Sequence, residues 1–213
     1  MRKGRTFTIS TNPYGDRKLY LKRTVVIYPG VTTTLVGCNG SGKSTLMMLL
    51  KDQLKKDKNV LVLEYDDRRS GGHALMEKFG FQDNLQELAN MMMSSEGERI
   101  MIGIGDFISS MRRKIRDANP KELWIFMDAV GSGLSIDGIQ DILDVMGVIR
   151  EDNTIPVYTV ISTNEYEFAK NPSDSIDVRS LKHIAFNTYD DYRCHILETR
   201  KQKDESIANK TTP

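Results

Sequence analysis

This sequence has few cysteines and histidines, almost no net charge and no long apolar run. The two cysteines, Cys38 and Cys194, are too far apart for a metal site or a disulfide framework, which fits a reducing compartment. The three histidines, His73, His183 and His195, show no metal-ligand spacing. A formal net charge of +1 creates no overall field towards nucleic acid or a membrane. Because no transmembrane run or targeting segment is evident, we expect a soluble, cytoplasmic protein without a membrane partner.

What the sequence does contain is one short glycine-rich loop with a defined spacing. Residues 37–44, Gly-Cys-Asn-Gly-Ser-Gly-Lys-Ser, fit the phosphate-binding pattern G-x-x-x-x-G-K-[ST] at every fixed position. The apolar segment 34–36 precedes the loop, and residues 43–56 have a helical pattern. This strand–loop–helix context is the one in which the motif binds phosphate, and it disfavours a chance glycine-rich turn.

The residue types of the loop explain the expected chemistry. Glycines let backbone N–H groups approach a phosphate closely, and the start of the next helix adds positive potential. Lys43 brings a charge to the outer phosphates, and the Ser44 hydroxyl is a ligand for Mg²⁺. Asp128 ends the buried strand 123–127 and can hold the same ion, with strand capping as the alternative. The predicted nucleotide contacts of the loop are Asn39, Gly40, Ser41, Gly42, Lys43, Ser44 and Thr45.

The order of the predicted elements indicates an α/β fold of the P-loop NTPase type. An N-terminal antiparallel part is expected from two pairs of strands, residues 7–9 with 19–21 and residues 25–28 with 33–36. A mainly parallel central sheet covered by helices is expected from segments that are apolar on both faces. The apolar segments are 60–65, 123–127 and 157–162, and a small hairpin is predicted from 176–178 and 183–186.

Helices are predicted on the remaining segments, including a short helical insertion before residue 94. They are 73–79, 83–92, 96–118, 137–151 and 189–203. We predict a single domain over 1–203 with a helical subdomain at about 73–118, because the length suits one large domain. Residues 204–213 are polar and are predicted to be disordered.

Three further segments follow the phosphate loop, and their order along the chain narrows the class of protein. Ser95, Gly97 and Glu98 begin the long helix as a second anion site, as a capping box, or as both. Residues 131–135, Gly-Ser-Gly-Leu-Ser, closely follow the strand that carries the acidic residue. Residues 162–164, Ser-Thr-Asn, end the next strand.

Taken in order, these segments resemble the ATP-binding-cassette class of P-loop ATPases, and within it the RecF-like and SMC-like branch. The class signature, roughly L-S-G-G-Q or L-S-G-G-E, corresponds to residues 94–98. Its S-x-L-D loop corresponds to 132–135 and its S-T-H switch to 162–164. The resemblance spans residues 25 to about 168, and the size is similar to that of small stand-alone ATPases often carried by phage genomes. No heptads are present, which excludes a coiled-coil arm.

The resemblance implies an ATP-gated mechanism. Mg-ATP binds the phosphate loop of one protomer, and the signature of a second protomer, here Ser95, Gly97 and Glu98, closes over the γ-phosphate. The product is a homodimer with two composite sites, which hydrolysis opens. Lys43, Asp128 and Asn164 take the catalytic positions, and an additional protein partner is compatible with the class.

Two positions depart from the class pattern. In the class, a Glu usually follows the Asp that ends the Walker B strand, here Asp128. This position is Ala129, which cannot orient water. The switch His is replaced by Asn164, which can hydrogen-bond a phosphate but cannot take up charge near neutral pH. Since water positioning supplies much of the rate, we expect slow or partner-stimulated hydrolysis. Asp137, or Glu98 of the opposite protomer, is the alternative acid.

Several residues keep two interpretations. Asp66 or Asp67 stands where the class has a Mg²⁺-sensing Gln, or lies in a solvated loop. Tyr14 and Tyr20 are candidates for stacking on adenine, and the alternative for Tyr20 is packing within a strand. Residues 112–116, Arg-Arg-Lys-Ile-Arg, form a solvated helix face or a polyanion site. DNA association is typical of RecF-like relatives, but the balanced charge gives it little support.

Two other functions are compatible with the sequence. A small P-loop kinase fits the length, with Arg112 and Arg113 as lid residues, but it leaves segments 95–98 and 131–135 without a role. A non-catalytic scaffold that uses ATP only for its conformation fits Ala129.

Overall fold

A six-stranded sheet and a two-stranded sheet organise the part of the chain that the computed structural model describes, residues 3–15, 18–66, 94–170 and 174–211. The strands are β1 (Arg5–Thr8), β2 (Thr24–Ile27), β3 (Thr32–Val36), β4 (Val60–Asp66), β5 (Glu122–Asp128), β6 (Val157–Ser162), β7 (Asp174–Asp177) and β8 (Lys182–Ile184). The helices are α1 (Lys43–Leu54), α2 (Glu96–Ala118), α3 (Ile136–Asp152), α4 (Tyr166–Ala169) and α5 (Tyr189–Thr211). The predicted helices at 73–79 and 83–92 lie outside the described residues.

The large sheet has the order β4-β5-β6-β3-β7-β8. All neighbours pair in parallel except β7 and β8, which form the small antiparallel hairpin expected from the sequence. Every residue of β3 and β6 is buried, as expected for strands covered by helices on both faces. The predicted fold class, a mainly parallel sheet with an antiparallel N-terminal part, is confirmed.

The pairing predicted for the N-terminal strands was wrong. β1 pairs with β2, with Phe7 opposite Val25, and residues 19–21 belong to no strand. β3 does not pair with β2 but lies between β6 and β7 in the large sheet. The physical reason is burial, because five consecutive buried residues suit the interior of a parallel sheet rather than a half-exposed hairpin.

Alternate residues of the sheet pack into two separate cores. Trp124 and Phe126 of β5 face one core, which also contains the apolar side of α1 and residues of β1 and β2. Ile125 and Met127 face the other core, which contains the apolar sides of α2 and α3. The stacking of Trp124 on Tyr158, with ring centroids 4.0 Å apart, ties β5 to β6.

The ends of two helices test the local predictions. Helix α2 spans Glu96–Ala118, as predicted, and closes at Asn119 in a left-handed conformation with φ 40°. Helix α5, predicted to end at 203, continues to Thr211 and so includes most of the segment predicted as a disordered tail. That segment is polar but contains good helix formers and no Gly or Pro before 211, so nothing in it stops the helix.

Candidate functional site

The phosphate loop connects β3 to α1 in a backbone conformation that requires glycine. Gly42 precedes the helix in the left-handed region, with φ 101°, and Gly40 has φ 71°. A Cβ on Gly42 would lie 3.2 Å from the Tyr20 hydroxyl oxygen. That hydroxyl donates a hydrogen bond of 2.9 Å to the Gly42 carbonyl. The start of α1 is therefore held in place by a buried side chain from the preceding segment.

Lys43 is folded back over the loop. Its Nζ donates to the carbonyl oxygens of Gly37 at 2.6 Å and Cys38 at 3.4 Å, and to Oδ1 of Asn164 at 2.9 Å. Burial lowers the pKa of Lys43, while the electrostatic effects of Cys38 and Asp128 act in the opposite direction. The ammonium group is thus held at the phosphate loop by three oxygen acceptors.

Asn164 links the end of β6 to the phosphate loop. Its Oδ1 accepts from Lys43, and its Nδ2 donates to Oδ1 of Asn39 at 2.9 Å. Its backbone carbonyl accepts a 2.8 Å hydrogen bond from the Tyr192 hydroxyl of α5. The predicted switch residue therefore contacts both the ammonium group of Lys43 and the side chain of Asn39 in the phosphate loop.

Ser44 and Asp128 are brought together from different elements. The Ser44 hydroxyl at the start of α1 donates to Oδ1 of Asp128, at the end of β5, over 3.2 Å. A hydroxyl and a carboxylate at this distance beside a phosphate loop suit Mg²⁺, which takes few protein ligands along with phosphate oxygens. No cluster of three or more His, Cys, Asp or Glu side chains able to hold a metal occurs among the described residues.

These groups surround one cavity of about 590 Å³. The loop contributes Asn39, Gly40 and residues 42–45, and the ends of β5 and β6 contribute further walls. Of the seven predicted loop contacts, Ser41 alone does not line the cavity. A Cβ on Gly37 would lie 2.6 Å from the Ser41 hydroxyl oxygen, so this side chain points back into the loop.

The predicted signature residues lie on a different surface depression. Ser95 caps α2 by accepting from the Glu98 N–H at 3.3 Å, and Oε2 of Glu98 accepts from the Ser95 N–H at 2.6 Å. This reciprocal pair is the expected capping box. Ser95, Gly97 and Glu98 line this depression together with Asp137, and none of the four lines the phosphate-loop cavity.

Sequence reasoning missed an acidic residue of the cavity, Glu165. It follows Asn164 directly and lines the same wall. The available signal was an acidic residue just beyond β6, since the carboxyl ends of neighbouring parallel strands meet at one edge of the sheet.

Among the residues that had two interpretations, the structure distinguishes the roles of the two tyrosines. Tyr20 is fully buried and packs in the core, whereas Tyr14 is 61% exposed, lines the cavity and lies 3.1 Å from Thr45 through their hydroxyls. Asp66 ends β4, but its side chain and Asp67 lie outside the described residues. Arg112 and its basic neighbours are exposed on α2, which fits both a solvated helix face and a polyanion site.

The comparisons with known proteins agree with this geometry. The ABC transporter family model matches residues 22–95, which include the phosphate loop. The chain is 23% identical over 167 residues to the petrobactin import ATP-binding protein YclP of Bacillus subtilis, covering 78% of the chain and 63% of that protein. It is 28% identical over 124 residues to the ribose import ATP-binding protein RbsA of Clostridium perfringens, covering 57% of the chain and 24% of that protein. The chain thus spans less than two thirds of the length of these relatives.

Solved structures show the same fold at low sequence identity. The ADP conformation of MJ1267, an ATP-binding cassette of an ABC transporter, superposes with a TM-score of 0.55 at 14% identity, over 94% of this chain and 98% of that one. The cbiO1 protein of Clostridium perfringens, part of an ABC transporter complex, superposes with a TM-score of 0.51 at 14% identity. The superposition covers 84% of this chain and 86% of that one. In its fold, its phosphate loop and the family match over residues 22–95, the chain is similar to ATP-binding domains of the ABC transporter family. None of the helices in the described residues is long and apolar enough to cross a membrane.

Proposed function

We propose that this chain binds Mg-ATP and forms an ATP-gated homodimer that hydrolyses ATP slowly or when a partner stimulates it. The observation that carries the proposal is the separation of two half-sites on one chain. The cavity holds Lys43, Ser44 and Asp128, while Ser95 and Gly97 lie on another depression. A second copy of the chain can bring the missing half-site over the cavity through a two-fold interface.

The residue roles in this proposal follow from the contacts. Asn39, Gly40, Ser41, Gly42, Lys43, Ser44 and Thr45 hold the nucleotide phosphates. Ser44 and Asp128 hold Mg²⁺, which would neutralise charge on the phosphates. Lys43 and Asn164 contact the outer phosphate, because both side chains already meet at the mouth of the loop. Ser95, Gly97 and Glu98 contact it from the opposite protomer.

The finer relationship to the RecF-like and SMC-like branch, including its small phage-type members, is part of the same proposal. It rests on the residues at 94–98 and 162–164 and on a segment between loop and signature that is too short for a coiled-coil arm. We likewise propose one ABC-type domain over residues 1–203 with a helical subdomain at about 73–118.

A second candidate is the ATPase component of an import system. It is favoured by the relatives, two of which are named import ATP-binding proteins. In that case the chain would act with a membrane-embedded partner, contrary to the expectation from its composition. Association with a membrane fraction that survives high salt but is lost in detergent would favour this candidate over the free homodimer.

The proposed function is tested on purified protein with Mg-ATP. Calorimetry should show ATP binding, and light scattering should show a doubling of mass with ATP. Lys43→Ala should weaken ATP binding at least about tenfold, because a charge-assisted contact to phosphate is lost. The matched control is Lys51→Ala on the same helix, whose lysine pairs with Glu64 instead. Absence of binding by the unaltered protein would refute the proposal.

Phosphate transfer to an added hydroxyl compound would instead indicate the kinase alternative. Binding and dimerisation without any phosphate release would indicate the scaffold alternative.

A further inference from the structure

The cavity lacks an acid at the position where the ABC class carries one. Ala129 lines the cavity with a methyl group, in a left-handed conformation with φ 57°. Asp128 beside it is engaged by the Ser44 hydroxyl. Among the described residues that line the cavity, the remaining acidic side chain is Glu165.

The side chain of Glu165 lies against the loop that begins at Ala129. A Cβ placed on Gly131, two residues further along that loop, would lie 2.9 Å from Cγ of Glu165. Gly131 has φ 104° and leaves the space that this side chain occupies. An acid from the end of β6 therefore packs beside the loop from which the class acid would project.

The local structure holds Glu165 in this place. Its backbone N–H donates to the Thr163 hydroxyl at 3.1 Å, and it immediately precedes α4. The next residue towards the N-terminus, Asn164, contacts Lys43. Burial and then the charge of Glu165 raise the pKa of Tyr192 to about 12, which fits a carboxylate directed to the same region as the hydroxyl that holds Asn164.

Glu165 also differs from the acid two residues away. Glu167, on α4, forms an ion pair with Lys170 and lies outside the cavity. Within the described residues, the structure records no ion pair to the Glu165 carboxylate. Glu165 thus lines the cavity without the ion pair that engages Glu167.

We propose that Glu165 is the catalytic acid–base of ATP hydrolysis in this protein, in place of the acid absent at residue 129. The proposal rests on the proposed function. The water oxygen bonds to the γ-phosphorus while the bond between that phosphorus and the β–γ bridging oxygen breaks, and its electron pair stays with ADP. The carboxylate takes the water proton and returns it to the released phosphate, so ATP and water give ADP and phosphate.

The test compares Glu165→Gln with the control Glu167→Gln. Glutamine keeps the size and hydrogen bonding of the side chain but cannot accept the proton. Glu165→Gln should lower the maximal rate of phosphate release about a hundredfold, with ATP affinity by calorimetry within about twofold of the parent. Its ATP-bound dimer should persist longer in light scattering, because hydrolysis opens the dimer. Glu167→Gln should match the parent in all three measurements.

A rescue variant separates a catalytic role from a structural one. Ala129→Glu added to Glu165→Gln places a carboxylate at the class position and should restore at least about tenfold of the lost rate. Unchanged turnover in Glu165→Gln, or ATP binding by the parent without any turnover, overturns the catalytic role. Failure of the parent to bind ATP overturns the proposed function itself.

Discussion

At the scale of single residues, Tyr20 shows how burial decides between two roles. The sequence allows it to stack on adenine or to pack in a strand. In the structure its ring is fully buried, and its hydroxyl reaches the carbonyl of Gly42 at the start of α1. Burial raises the pKa of this phenol above its ordinary value, so it remains a proton donor across the neutral range. Tyr20 therefore stabilises the phosphate loop and does not stack on adenine.

Replacement of this hydroxyl should weaken the fold slightly. Tyr20→Phe should lower the free energy of unfolding by about 1 kcal/mol, because one hydrogen bond is lost while the Gly42 carbonyl keeps its helical bond from Leu46. Urea denaturation measures this change, and Tyr28→Phe, at a partly exposed ring, is the control. A loss no larger than that of the control would show that the hydroxyl contributes nothing.

At the scale of elements, the start of α2 illustrates what short-range signals predict well. Ser95 and Glu98 stand three residues apart, and their reciprocal hydrogen bonds depend on the local backbone alone. The hydrogen bond from the Ser95 backbone N–H lowers the pKa of Glu98 below its ordinary value of 4.5. The ionised carboxylate is therefore the form that the folded helix favours.

This lowered pKa predicts a pH-dependent contribution to stability. Since the folded-state pKa is below the unfolded one, the contribution of Glu98 is present above pH 4.5 and is lost as the pH falls through the folded-state value. Glu98→Ala should thus be less stable than the parent at about pH 7, with a smaller difference at about pH 3. Urea unfolding at both pH values checks this.

Glu98→Gln is the companion variant, because it keeps an acceptor but cannot titrate in this range. The difference in the free energy of unfolding between Glu98→Gln and Glu98→Ala should therefore be the same at both pH values. An equal loss of stability for Glu98→Ala at both pH values would contradict the assignment.

At the scale of the whole molecule, strand order creates the candidate site. β5 ends at Asp128, β6 ends at Ser162, and β3 leads into the phosphate loop. β6 lies between the other two, so their carboxyl ends deliver these groups to one edge. This edge is where ligands bind in open parallel sheets. The two half-sites of the proposed dimer then lie on different depressions of one chain.

Binding at this edge should stabilise the whole molecule. Mg-ATP at about 100 times its Kd should raise the free energy of unfolding by about 2.7 kcal/mol, because it binds the folded state alone. Fluorescence of Trp124, the single tryptophan, reports unfolding of the buried sheet. Lys43→Ala should show no such gain, and the gain should grow with protein concentration if ATP joins two chains. An unfolding curve unaffected by Mg-ATP would contradict nucleotide binding.

The sequence by itself determined the phosphate loop, the helix that follows it, the span of α2 and the acid that ends β5. These features depend on local spacing, on glycine conformations and on apolar periodicity, which nearby residues set. The tertiary structure alone decided that β3 pairs with β6 and β7 instead of β2, and that Glu165 reaches the cavity while Asp137 does not. Such outcomes depend on packing between segments far apart in the chain, and no local pattern records which faces will meet.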